Sequence, residues 1–322
     1  MKGEQLIFLI SQPRSGSSLL QQLILNSNEI SSTPESWQML SLIHTYKSTS
    51  INHGYNPKYT SINFLEYLNT IENGLDLFKQ KIKTLALKLY AFKEDDSSYF
   101  LDKTPRYYHI IEELYELFPK AKFIFLVRNP LSVFASMLDY NFNGKYFKFL
   151  SAPDRIDDLF LAPNEICKFV KFHDNHILVK YEKLVKNPDK ELRKIFNYLS
   201  LDLPKNASNY FVDEVFRLTN SIDTKSLTKN NKPTDEYLDS WKKILDTSQK
   251  KKLAIGFLNE LQTKHSDYFD YNLDLILKDL QKHKPQKKYL LNLSYDLISK
   301  SDVELGLFKL IKKRLILKFQ RQ

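Results

Sequence analysis

The stretch "LIFLISQPRSGSSLLQQLI", residues 6–24, decides the fold. Leu6 to Ile10 is an unbroken apolar run of strand length, and Leu19, Leu20, Leu23 and Ile24 fall on one helical face. The polar turn Ser11–Ser15 lies between them, so the segment is predicted to run strand, turn, helix. Such a turn offers backbone N–H groups and the positive end of a helix dipole to a phosphate-like anion. Gly16 permits close backbone approach, Ser15, Ser17 and Ser18 add hydroxyl donors, and Arg14 adds a guanidinium that can fork onto two oxygens. On these residues alone, an ordinary strand-to-helix turn with a surface arginine is a second reading.

Working outward, an apolar helix is expected over 75–92, with Phe78, Ile82, Leu85 and Leu89 at helical spacing. The breaker-rich "KSTSINHGYNPKYTS", residues 47–61, reads as a surface loop near the first turn. A short strand is expected near 99–101 and a helix over 107–118. The run "KFIFLVRNP", residues 122–130, is apolar on both alternations, as in a strand buried between helices. Asn129 is predicted to cap, and Pro130 to open, the helix that follows. Another strand is expected at "NHILVKYEKL", residues 175–184, and a helix from Asn187-Pro188 through Leu199. This alternation predicts an α/β chain, P-loop-like, with three α/β/α layers around a central parallel sheet. The nearly apolar-free stretch 219–237 reads as a loop or lid. There is no internal repeat.

The 322 residues, 42% of them hydrophobic and 13% aromatic, suffice for a core. One cysteine, Cys167, excludes a disulfide framework and a cysteine-rich zinc site, and fits a reducing compartment. The run Leu6–Ile10 is too short for a signal peptide or a membrane span, so a cytoplasmic location is expected. The net charge of +10 is uneven: from Tyr271 onward twelve lysines and arginines face five acids. We therefore expect a main domain over 1–265 and a basic, helical C-terminal extension over 266–322. Its last stretch, "ELGLFKLIKKRLILKFQRQ", is basic and amphipathic as a helix. It suits either peripheral contact with the inner membrane surface or packing of its apolar stripe on the body. The charge comes with no nucleic-acid recognition motif, and no nucleic-acid partner is expected.

Against the nucleotide-binding pattern G-x-x-x-x-G-K-[ST], only Gly16 and Ser18 fit; Ser11 replaces the first glycine and Ser17 the lysine. The cation, Arg14, stands before the glycine instead of after it. A magnesium-nucleotide site also needs an acid at a strand end, where "FIFLVRNP" has Arg128 and Asn129. An arginine there suits a second anion.

The turn "RSGSS", with "FIFLVRNPLSVFASML" at 123–138, resembles the sulfotransferase family that uses 3′-phosphoadenosine 5′-phosphosulfate (PAPS). The resemblance implies that Arg14, Ser15, Gly16, Ser17 and Ser18 hold the 5′-phosphosulfate, and that Arg128 and Ser136 hold the 3′-phosphate. "LDKTPRY", residues 101–107, is similar to the K-x-P element whose lysine contacts the sulfate leaving group, which implies that role for Lys103. "VKYEKLVKNPDKELRKIFNYLSLDL", from Val179, is similar to the segment whose tyrosine contacts the cofactor, here Tyr181. "DSWKKIL", residues 239–245, resembles a late element of the fold. The four pieces occur in family order over roughly residues 4 to 260, and are closest to tyrosylprotein and bacterial carbohydrate-type members.

Sulfuryl transfer needs donors for the leaving phosphate and a base for the acceptor proton. The resemblance implies Glu35, in "SSTPESW", as that base, with Arg14 and Lys103 as the sulfate-end cations; a solvated charge after Pro34 is the other reading of Glu35. His44 and His53 stand behind it as bases. Tyrosylprotein members carry an arginine four residues after the 3′-phosphate serine. Tyr140 occupies that position here, so part of the grip is expected from elsewhere, with Ser221, Lys225, Lys229 or Lys232 as candidates. The resemblance implies a bacterial enzyme with PAPS as donor, adenosine 3′,5′-bisphosphate as product, no metal, and a small-molecule, glycan or glycolipid acceptor. A magnesium-dependent P-loop nucleotide kinase and a noncatalytic nucleotide- or membrane-binding module are the rival expectations.

Overall fold

Strand β1, Leu6–Ser11, is buried along its whole length. With β2 (Ile30–Ser32), β3 (Tyr99–Lys103), β4 (Lys122–Val127) and β5 (His176–Lys180), it forms one sheet of order β2-β3-β1-β4-β5. In this computed structural model, residues 1–46, 57–91, 97–145, 149, 152–210, 231–265 and 268–285 are described. His53, Ser221, Lys225, Lys229 and the basic segment beyond 285 lie outside them. β1 pairs in parallel with β3 (Leu6↔Phe100 to Leu9↔Lys103) and with β4 (Ile7↔Lys122 to Ser11↔Leu126), and β3 pairs in parallel with β2. A central strand with a neighbour on each side and helices on both faces has no solvent-facing alternation. That is why β1 and β4 read as continuous apolar runs.

The chain packs into two compact units. The first comprises Met1–Ser11, Gly16–Leu126 and Lys168–Pro233; the second comprises Gln12–Ser15, Val127–Cys167 and the chain from Thr234 on. In the first unit, Phe8 packs against Tyr107, Phe118 and Phe123, with ring centroids 6.2, 5.8 and 5.6 Å away. In the second, helix Pro130–Phe142 is capped by Asn129, whose side chain accepts from the Leu131 amide at 2.9 Å. Its Phe134 stacks on Phe257 of helix Ser248–Lys264 at 5.1 Å, and Phe160 meets the same ring at 5.4 Å. Gln12 ties the start of the turn to this unit, donating to the Asp158 carbonyl and accepting from the Tyr268 hydroxyl at 2.8 Å.

Several boundaries differ from expectation. The stretch read as a loop over 47–61 holds the start of a helix, Pro57–Asn69, because a proline at the first helical position opens a helix as readily as it breaks one. The helix expected over 107–118 is a 3-10 turn, Pro105–His109, followed by Ile111–Leu117; Ile110, at φ −140°, interrupts it. The strand expected to continue through Tyr181 ends at Lys180, and Tyr181 opens helix Tyr181–Lys186. Helix Gly74–Ala91 buries Ile82, Ala86 and Tyr90, while Leu85 and Leu89 are exposed. Its rotation follows Tyr90, whose ring packs on Phe100 and whose hydroxyl reaches Asp102. The helix from Pro188 through Leu199 is as expected.

Candidate functional site

β1 delivers the turn. Arg14 and Gly16 both adopt left-handed backbone angles, φ 71° and 96°, and Gly16 is the N-cap of helix Ser17–Ile24. Within the first unit, Gly16 lies directly on the ring of Tyr181. A Cβ there would come within 2.6 Å of Tyr181 Cδ2, far inside van der Waals contact. Tyr181 is only 5% exposed, so its ring has little room to retreat. Gly16→Ala is therefore expected to cost about 2–4 kcal/mol through overpacking and left-handed strain, read as a lower urea midpoint. In a Tyr181→Ala background the overpacking part of that cost should disappear and the left-handed strain remain.

The strand-end chemistry of the first unit is built on β3 and the loop after β2. Glu35 Oε1 accepts from Lys103 Nζ at 2.7 Å, with the lysine side chain fully buried and the glutamate 14% exposed. The other carboxylate oxygen accepts from the Trp37 indole at 3.3 Å. Lys103 also donates to Ser18 Oγ at 3.5 Å, which links β3 to the helix that leaves the turn. Burial pushes the Lys103 ammonium below its ordinary value, and the Glu35 and Asp102 carboxylates pull it back up.

Asp102, which the sequence reading passed over, organises this arrangement. It is fully buried and accepts at Oδ2 from Tyr90 at 2.5 Å, Tyr107 at 2.7 Å and Ser36 at 3.1 Å, and at Oδ1 from Thr104 at 3.1 Å. Burial pushes its carboxyl up while these hydroxyls draw it back down. The Met39 amide donates to the Tyr107 hydroxyl, and on the other side Gln21 donates to Ser32 Oγ and the Thr33 carbonyl. Glu35 is thus held between anchors at 32–33, 36 and 39. Consecutive residues Glu35 and Ser36 meet consecutive residues Lys103 and Asp102. The available signal was an acid at the end of an otherwise apolar strand, in "YFLDKTP".

In the second unit, Arg128 is 7% exposed and donates to the carbonyl oxygens of Arg14 and Tyr237 at 3.2 and 3.1 Å. Arg14 Nε donates to Ser136 Oγ at 3.2 Å, and its guanidinium lies 3.9 Å from the centre of the Tyr140 ring. The structure thus brings Arg14, Arg128 and Ser136 together here, and Ser18, Glu35, Lys103, Gly16 and Tyr181 together in the first unit. Ser15 Oγ is buried without a hydrogen-bond partner among the described residues. His44 ends helix Gln38–Ile43, and Lys232 is exposed. No helix among the described residues is long and apolar enough to cross a membrane.

Residues 6–205 match the family model described as "Sulfotransferase family". Nodulation protein NoeE of Sinorhizobium fredii (strain NBRC 101917 / NGR234) is 26% identical over 215 residues, 61% of this chain and 50% of NoeE. The chain thus spans half the length of that relative. Two solved structures share the fold at 22% identity. The sulfotransferase domain from the curacin biosynthetic pathway has a TM-score of 0.54, over 81% of this chain and 96% of that one. The sulfotransferase domain from the Synechococcus PCC 7002 olefin synthase has a TM-score of 0.51, over 73% and 86%. With the matched region running from β1 through β5 and the helix after it, this chain belongs to the sulfotransferase family.

Proposed function

We propose that this sulfotransferase takes its sulfuryl group from PAPS and transfers it to a hydroxyl of a carbohydrate or glycolipid. The observation that carries the mechanism is the Glu35–Lys103 pair at 2.7 Å, one residue type for each of the two charges the reaction develops. The turn's chemistry fits the donor: a helix N-terminus, a glycine with no Cβ at the closest approach, and a buried Ser15 hydroxyl that has no partner among the described residues and that an anionic oxygen would engage. PAPS would supply an activated S–O bond to a phosphate leaving group. Glu35 takes the proton of the acceptor hydroxyl as that oxygen bonds to sulfur. Lys103, with Ser18 and the N–H groups of the turn, neutralises the leaving phosphate, which keeps the electron pair of the broken S–O bond. Arg128 and Ser136 are assigned to the 3′-phosphate.

The domain would occupy 1–265, with 266–322 an extension whose basic end contacts an anionic membrane surface. Incubation with sulfur-labelled PAPS and extracts of glycans and lipids should label one of those fractions, and adenosine 3′,5′-bisphosphate should raise the melting temperature. Stabilisation by magnesium-ATP with none by the bisphosphate would replace this reading with the kinase.

A further inference from the structure

Trp37 follows Glu35 by two residues. Its indole N–H donates to Glu35 Oε2 at 3.3 Å, while Oε1 faces the buried Lys103 ammonium at 2.7 Å. One carboxylate oxygen is thus turned to the lysine and the other to the tryptophan. A carboxylate oxygen accepts more than one hydrogen bond, so Oε2 can take an acceptor O–H beside the indole. Met39, Leu40 and Ile43 of the helix that follows are buried, whereas Trp37 is 40% exposed. Its backbone lies at φ 54°, a left-handed region that disfavours a residue with a Cβ. The Ser41 amide and hydroxyl donate to its carbonyl at 3.2 and 3.3 Å, and the Arg106 guanidinium carbon lies 5.9 Å from the centre of its ring. The largest apolar side chain of this segment therefore keeps much of its surface in water, on a strained backbone, beside the carboxylate. Strain of this kind gathers at ligand-binding positions.

We propose that Trp37 is the acceptor platform: its exposed indole face takes the apolar C–H face of a pyranose ring and brings a hydroxyl at the rim of that ring to Glu35 Oε2. A pyranose chair carries C–H bonds on its faces and hydroxyls around its rim. It therefore suits a flat apolar partner with a hydrogen-bond acceptor at the partner's edge. An indole supplies the electron-rich face, and here its N–H edge is tied to the carboxylate. Platform and carboxylate keep one geometry, so a sugar that stacks also presents its hydroxyl. Trp37 is a specificity-determining residue for the acceptor, and its N–H positions Glu35.

This assignment rests on the carbohydrate reading of the acceptor and on Glu35 as the base. The test is transfer from sulfur-labelled PAPS to the glycan and lipid extracts over a range of extract concentrations, repeated after periodate has opened the sugar rings that carry vicinal diols. Periodate should abolish labelling by the wild type. Trp37→Ala should raise the concentration for half-maximal transfer about ten- to hundredfold, as for a tryptophan that anchors a ligand. Trp37→Phe keeps an aromatic face without the N–H. It should hold that concentration within about fivefold of wild type and lower the maximal rate about three- to tenfold, the effect of one lost hydrogen bond to a charged group. Calorimetric titration with adenosine 3′,5′-bisphosphate should give both variants the wild-type affinity. The chain has two tryptophans and Trp241 is 2% exposed, so acrylamide quenching of wild-type emission reports Trp37, and the labelled extract should protect it. With a periodate-sensitive acceptor labelled, an unprotected Trp37, or a half-maximal concentration in Trp37→Ala within about twofold of wild type, would overturn the platform and leave the carbohydrate reading standing. A loss of bisphosphate affinity in Trp37→Ala as large as its loss on the acceptor would make its role structural and overturn the proposal too. Label found only in periodate-resistant acceptors would overturn the carbohydrate reading, and the platform with it.

Discussion

Lys103→Ala is expected to lower kcat by about 10²- to 10³-fold while the chain still binds adenosine 3′,5′-bisphosphate within about tenfold. The lysine is fully buried, its ammonium is 2.7 Å from Glu35, and it reaches the Ser18 hydroxyl at the start of the helix that follows the turn. In the proposed mechanism a cation in that place would act on charge that develops only as the S–O bond breaks, so its loss should fall on kcat more than on ground-state binding. Glu35→Ala should lower kcat by about 10²- to 10⁴-fold, as for other general bases. Because the two side chains are bonded, the double variant should be little worse than the worse single one. Burial pushes the Lys103 ammonium below its ordinary 10.5. Its charge, and with it kcat/KM, should therefore be lost on the alkaline side below that pH, and the limb should be missing in Lys103→Ala. A kcat within threefold of wild type in Lys103→Ala would remove the lysine from the chemistry.

Asp102→Ala is expected to cost about 3–5 kcal/mol of stability, the range for breaking a buried charged network by removing one partner. The carboxylate collects four hydroxyls, and the substitution strands those of Tyr90 and Tyr107, which are at most 2% exposed. Each stranded buried donor carries a penalty of about 1–3 kcal/mol. The urea midpoint should fall with an unchanged m-value, and kcat should fall too, since Ser36 loses its anchor one residue from Glu35, the proposed base. Asp102→Asn keeps a hydrogen-bond acceptor of the same shape and should lose less on both counts. A stability change below 1 kcal/mol in Asp102→Ala would show that the hydroxyls find other partners.

What the sequence made legible follows from how local each signal is. The strand, turn and helix from Leu6 to Ile24, the Asn129 cap with Pro130 behind it, and the helix opened by Pro188 are set by neighbouring residues, and they stand as read. The Glu35–Lys103 meeting was legible only as two separate motifs, since 68 residues divide them. Three-residue β2 has no periodicity to detect. Asp102 escaped because a buried carboxylate is recognised by its donors, and those lie on a helix, a 3-10 turn and a loop that only the fold assembles. The rotation of helix Gly74–Ala91 escaped for the same reason: a phenylalanine, an isoleucine and two leucines argued for one face, and a single tyrosine hydroxyl with a distant acceptor settled another. Arg14 stands in the turn, and contacts of its side chain are assembled by the fold. Its partners Ser136 and Tyr140 are over a hundred residues away.

The clamps around Glu35 have a consequence for how such a protein can diversify. Glu35 is fixed from behind by Gln21 through Ser32 and Thr33, and from ahead by Asp102 through Ser36 and by Tyr107 through Met39. Helix Gln38–Ile43 follows these anchors directly in the chain, and its own Met39 amide is bonded to Tyr107. Selection, or a designer, that spares these anchors keeps the placement of Glu35 whatever else it alters.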